Sequence, residues 1–539
     1  MSITAEVRAR DMKLSAHVAE FGRRSLRTIA KALGMSKDTV ARGLNAIDKR
    51  AQHPESHFWE TPEGQAWLLL LFTATLYVFG LKGNQGAERM SEFFKLLRLD
   101  RHIGVSPTTL RTCKRAMEEA LLEFQRSQEA RQKEAGPADR EIVASGDETW
   151  FNDQPVLVLM ELASGYILVE EAAADRSYET WNATAQTRLA ALGLQVRHFI
   201  SDRGKALVKL ATAGLGCVAG ADLFHAQYGL SKWLGRSLHG KLGRATQKLH
   251  DAQAQLAKLT EKGASATEIS AQQQRVQEQH ARVEVIQAGK EAYSTVQHTI
   301  STAVHAFDVA DNQPQSSEQV AVRLEDQAQQ LEQIAHDYTV QDNKDALGKF
   351  RRQIEDVASS IDAWWTWTKE SLAVHIGAEL RQWLLYVLLP VIYWHAQVQK
   401  TRHPELRAVY ETALHQAQAA YAAHPVTRTL SEQDLERWRT WAEWASGNFQ
   451  RASSAVEGRN GVLSQSYHNG RGLTARRLGA LTVIHNYDTR RSDGSTPAER
   501  LYGTQFPDVF EWLLEHMGDL PLPRQSRPRA SPDPLTVAV

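Results

Sequence analysis

Cysteine is nearly absent. The 539-residue chain has two, Cys113 and Cys217, too few for a disulfide framework or a Cys-rich zinc site, and this fits a reducing compartment. An excess of one charge is absent as well: 63 Lys and Arg balance 63 Asp and Glu, with a pI near 7.4. Global charge therefore argues neither for nor against nucleic acid, and only local patches can. The longest apolar runs, WLLLLFTATLYVFGL (67–81) and WLLYVLLPVIYW (383–394), are shorter than the roughly 20 residues a bilayer needs. Both read as buried helices. The N-terminal MSITAEVRARDMKLS lacks the apolar core of a signal peptide. No internal repeat is evident. What remains is a chain of ordinary globular composition, 42% hydrophobic and 23% charged, long enough for several domains. The expected setting is cytoplasmic, with no membrane partner.

Texture divides the chain. Residues 1–60 and 61–135 are helical in pattern, and RQKEAGPADRE (131–141) reads as a linker broken by Gly136-Pro137. Three strand-like runs follow, EIVASGDETWF, QPVLVLMELAS and YILVEEAAA, separated by turn signals. Then come an amphipathic stretch (177–193), a strand (196–201), a short helix (205–213) and a further strand-like run, CVAGADLF (217–224). From 229 to 440 strand texture disappears. Two long Ala/Gln/Glu-rich stretches predict an antiparallel helical hairpin turning near Gly263-Ala264. Tryptophans cluster at 364, 365, 367, 383, 394, 438, 441 and 444, read first as core packing and second as a platform for a flipped base. Residues 518–539 are Pro-rich and read as a disordered tail.

The strand 196–201 ends abruptly at Asp202, and the first strand carries Asp147 in ASGDETW. If strands one and four are neighbours, these carboxylates face each other and repel unless protonated or bridged by a cation. Magnesium suits such a bridge, being hard and oxygen-seeking. The plainer reading makes Asp202 a turn residue that caps the helix at 205. Glu148 adjoins Asp147, but alternate strand residues point to opposite faces, so only one of the two can face the cation.

The βββαβαβ order with these acids resembles the RNase H-like catalytic domain of DDE transposases. That family requires a third acid on a later helix. SSAVEGRNGVLSQSYHNGRGLTARRLG, with Glu457, Asn460 and Tyr467, followed by NYDTRRSDGSTPAERLYG, is similar to the family's C-terminal part. Asp202 and Glu457 are 255 residues apart, far more than compact members need. A helical insertion (229–440) before the last acid resembles the hAT and Mutator-like layout. ADLFHAQ supports this, since Asp222 and His225 match a [C/D]xxH signature; His225 reads either as structural or as catalytic. Glu443 and Glu499 stand as rivals to Glu457.

The resemblance implies a multidomain α and α/β chain whose catalytic domain, with a mixed five-stranded sheet, comes in two parts, 136–228 and 441–517, with a large all-α insertion between them. Asp147, Asp202 and Glu457 would hold two Mg²⁺ ions (or Mn²⁺) about 3.5–4 Å apart. The activity implied is that of an insertion-sequence transposase, with hydrolysis at element ends and then strand transfer into target DNA by a homodimer or larger multimer in the bacterial nucleoid. Arg203, Lys205, Arg459, Arg471, Arg476 and Arg477 would contact phosphates. A catalytically silent DNA-binding regulator and an RNase H-like nuclease without strand transfer are the alternatives.

The address would lie at the N-terminus. SLRTIAKALGMSKDTVARGLNAIDKR (25–50) has helix-turn-helix spacing. Ile29 and Val40 are core positions, Gly34 makes the turn and Ser36 caps the second helix, which would present Lys37, Asp38, Thr39 and Arg42 to a major groove. A second candidate, LLRLDRHIGVSPTTLRTCKRAMEEAL (96–121), turns at Gly104 and offers Arg111, Lys114 and Arg115.

Overall fold

The computed structural model describes residues 3–134, 140–372, 376–470 and 472–523. The chain divides into two compact units. One comprises Met1–Pro137 with Gly461–Val539, the other Ala138–Asn460.

In the first unit, helices Ile3–Phe21, Leu26–Leu33 and Lys37–Arg50 enclose a small core of Leu14, Ile29, Val40, Leu44 and Ile47. The turn follows the local chemistry. Ser25 and Ser36 cap the second and third helices through their hydroxyls. Gly34 ends the second helix at φ 64°, where a side chain would be strained. The run at 67–81 forms helix Pro62–Ala74 and its π-helical continuation to Lys82. Among the described residues, Pro62–Lys82 is the one helix long and apolar enough to cross a membrane, and half of its most apolar window is buried within the protein. Helix Pro107–Glu134 receives Ala475–Tyr487 and Val509–His516, with Phe124 edge-on to Tyr487 and Trp512. The resemblance makes 441–517 the second part of the catalytic domain; by packing, the chain from Gly461 groups with the N-terminal helices.

In the second unit, β1 (Arg140–Phe151), β2 (Gln154–Glu161), β3 (Ile167–Ala172), β4 (Leu194–Ser201) and β5 (Val218–Ala221) form one sheet in the order β3-β2-β1-β4-β5. The first three are antiparallel, and β4 and β5 run parallel to β1 and β4 respectively. Asn152 and Asp153, both at positive φ, close the β1–β2 hairpin in two residues, the backbone that matches strand twist. β2 is almost wholly buried, which its unbroken apolar run requires. Helix Tyr178–Leu192 makes the crossover to β4 and buries Trp181. The expected strand 217–224 is shorter: it stops at Ala221, because Asp222 caps helix Leu223–Leu230.

All named elements between 229 and 440 are helical. Arg236–Glu261 and Ala266–Ala303 pack as the expected hairpin, turning through Gly263 at φ 67°. The tryptophans mostly serve the core of this region: Trp364, Trp365, Trp383 and Trp394 are buried in one cluster, while Trp438 and Trp441 pack at its edge. Trp444 is 37% exposed.

Candidate active site

The site is built on β1 and β4. Their parallel register pairs Ser145 with Ile200, and continuing it by two residues brings Asp147 level with Asp202. Burial, then the charge of Glu457, then that of Asp202, push the Asp147 carboxyl up to about 7. Glu148 faces elsewhere and pairs with Arg176, as strand alternation demands. Asp202 also turns the chain: its Oδ1 accepts from the Gly204 amide at 2.8 Å. It does not cap the next helix, whose N-cap is Gly204.

Glu457 lies in the first turn of helix Ser454–Gly470. Three contacts within the second unit fix that turn. Buried Asp222 accepts from the Ser453 amide at 3.0 Å and from the Ser453 hydroxyl. The Leu223 amide donates to the Arg451 carbonyl at 3.0 Å. Arg459 forms a two-pronged buried ion pair with Glu170 of β3, 2.6 Å on each prong. The two ends of the helical insertion therefore meet at β5. One turn beyond Glu457, Asn460 Nδ2 donates to Asp147 Oδ2 at 2.7 Å.

His225 joins the cluster from helix Leu223–Leu230. Its Nδ1 lies 3.0 Å from Asp222 Oδ2, and its Nε2 lies 3.4 Å from Glu457 Oε1. The hydrogen bond to Asp222, opposed by burial and aided by the charges of Asp222, Glu457 and Asp202, raises its pKa and favours imidazolium. Asp222 is held below the usual carboxylate range: burial opposes this, but the hydrogen bonds from His225 and Ser453 prevail. The rival acids are engaged elsewhere. Glu443 pairs with Arg439 at 3.0 Å on an exposed face. Glu499 completes a capping box with Thr496, so TPAE starts helix Pro497–Tyr502.

The donor set of Asp147, Asp202 and Glu457 fits a hard divalent cation. Three carboxylates gather at one end of a sheet, and the repulsion that resists ionisation of Asp147 is what a bound cation would relieve.

The basic residues divide sharply. Lys37 and Arg42 are exposed and Thr39 half-buried on helix Lys37–Arg50. Lys205 is exposed. Arg203, at φ 70°, pairs with Asp356 at 2.5 Å. Arg111 is exposed but paired with Glu88. Lys114 is only half-exposed, and burial together with the Arg477 charge lowers its pKa to about 8. Two expectations are corrected. Arg459 is not available to phosphate, because Glu170 holds it in the interior. Arg477 is buried too: it donates to the Gly80 and Leu81 carbonyls and to Asn84 Oδ1, beside Glu118. Arg476 is partly exposed and bonds Glu118 at 3.0 Å. Arg471 lies outside the described residues. Gly104 does turn the chain, but its amide donates to Pro521 O at 2.8 Å and a Cβ there would lie 2.6 Å from Leu522 O. That turn is therefore covered by residues 521–522.

Sequence reasoning missed Ser453, Arg451 and Glu170, which hold the Glu457 turn. Asn460, present in the motif, turns out to orient Asp147. The Asn-three-after-Glu spacing was visible; the strand it reaches was not.

A family model described as "Family of unknown function (DUF6399)" matches residues 384–529, which include Glu457. A search of curated proteins found no match.

Proposed function

We propose that this chain is a DNA transposase, with an RNase H-like sheet carrying a DDE triad of Asp147, Asp202 and Glu457. The observation that carries the reading is the convergence of these three carboxylates, from two adjacent parallel strands and a helix 255 residues further on. The strand order β3-β2-β1-β4-β5, three antiparallel and two parallel, supports it. So do the exposed Lys37 and Arg42 on the second helix of a helix-turn-helix-like pair.

Mg²⁺ bound by the three acids would supply Lewis acidity at the scissile phosphate and would ease deprotonation of water or a 3′-hydroxyl. The chain's own residues set the stage. Asn460 fixes one oxygen of Asp147, so the carboxylate enters the site in one orientation. His225, oriented by Asp222, holds Glu457 in place and offsets part of the negative charge. Lys205 offers a cation to the DNA backbone near the exit of β4. Element-end recognition belongs to Lys37, Thr39 and Arg42, and a multimer would synapse two ends.

The test uses purified full-length protein with DNA from the flanks of its own gene. Mg²⁺ or Mn²⁺ is expected to support 3′-end cleavage, and joining to a second duplex should follow. Cleavage without joining would favour the nuclease reading. Sequence-specific binding without cleavage in either metal would favour a silent regulator.

A further inference from the structure

A second cluster of metal-binding side chains lies in the helical region, apart from the carboxylate triad. His298 sits in the last turns of helix Ala266–Ala303. His403 and Glu405 flank Pro404 at the start of helix Pro404–Ala423. One ligand atom from each lies within 4.8 Å of the others. His298 Nδ1 is 3.0 Å from Glu405 Oε2, and the two imidazole rings meet edge to face, centroids 4.8 Å apart at 70°.

We propose that His298, His403 and Glu405 bind one divalent transition-metal ion of the zinc class, cross-linking the helical hairpin to helix Pro404–Ala423. Two imidazoles with one carboxylate are borderline-soft donors that suit zinc and not magnesium, which demands oxygen. Zinc bonds of about 2.0–2.1 Å put tetrahedral neighbours roughly 3.4 Å apart. The His298–Glu405 pair is already near that separation. No pair need close by more than about 1.4 Å, within reach of side-chain rotation, because His403 and Glu405 are exposed. The backbone is prepared: Pro404 fixes the turn between the two ligands, and His403, though at the N-cap, makes no side-chain capping bond. A simple His298–Glu405 ion pair would give His403 no part. Three protein ligands leave the fourth position to water.

The full-length chain carrying Asp147→Asn and Asp202→Asn, which weaken the other cation site, is stripped with chelator and titrated with Zn²⁺ against a chromophoric competitor. One equivalent is expected to bind and to raise the thermal midpoint. Adding His298→Ala, or separately His403→Gln at its exposed turn, should weaken that equivalent by at least about a hundredfold and abolish the thermal shift. Co²⁺ should give the visible absorption of a tetrahedral site only while both histidines are present. Failure of the parent to bind Zn²⁺ at micromolar concentration would overturn the proposal. So would Zn²⁺ stoichiometry and affinity unchanged in His403→Gln, which tests the site even if His298→Ala folds poorly.

Discussion

At the scale of single residues, the same side-chain type plays opposite parts. Arg42 is exposed, whereas Arg459 is locked to Glu170 in the interior. Removing one partner of a buried pair strands the other charge, at a cost of about 3–5 kcal/mol. Arg459→Ala should therefore shift the denaturation midpoint steeply downward while leaving the salt dependence of DNA binding unchanged. A phosphate contact would behave the other way, lowering the salt slope by about one with little change in stability. His198 gives a pH test. It is buried in β4, its Nε2 has no hydrogen-bond partner, and burial depresses its pKa from 6.5 to about 4. The unfolded chain takes up this proton first. Stability from the neutral ring is thus complete above about pH 6.5 and is lost as pH falls toward 4, by at most about 3 kcal/mol. Thermal unfolding of His198→Leu between pH 7 and 4.5 should be flatter than that of the parent chain. Equal slopes would remove His198 from the acid response.

At the scale of elements, helix Lys37–Arg50 is expected to carry the DNA address. Arg42→Ala in the full chain should cost about 1–3 kcal/mol for the element end and much less for unrelated DNA. An unchanged specificity ratio at fixed salt would deny it a reading role. The full chain is the right material, because helix Pro107–Glu134 packs on Ala475–Tyr487 and a fragment ending near 130 would expose Phe124. Helix Ser454–Gly470 depends on Asp222, which anchors Ser453 and His225. Asp222→Ala should lose both stability, by about 1–2 kcal/mol from the cap alone, and cleavage. His225→Gln should impair cleavage with little loss of stability, as measured by thermal unfolding and single-turnover rates.

At the scale of the whole molecule, the sequence made some features visible and hid others for physical reasons. The strand ending just before Asp202, the helix pair within 25–50 turning at Gly34 and the hairpin at Gly263 follow from local periodicity and turn chemistry. Glu457 is marked in the sequence only by the motif around it, in which Asn460 follows three residues later. Hidden were the partners that long-range folding supplies: Glu170 for Arg459, Glu118 for Arg477, Asp147 for Asn460. A basic residue bound for the interior looks like a surface one until its acid is known. The placement of 461–517 with the N-terminal helices was hidden for the same reason, because it rests on packing such as Phe124 against Tyr487. The central claim is that Asp147, Asp202 and Glu457 act together on a phosphodiester. It is tested most directly by Glu457→Gln, in a Mg²⁺-dependent cleavage assay on labelled element-end DNA run beside a binding assay. The account predicts cleavage reduced by orders of magnitude, since several kcal/mol of electrostatic stabilisation are lost, with binding intact and no further loss on adding Asp147→Asn. Near-normal cleavage by Glu457→Gln would contradict it.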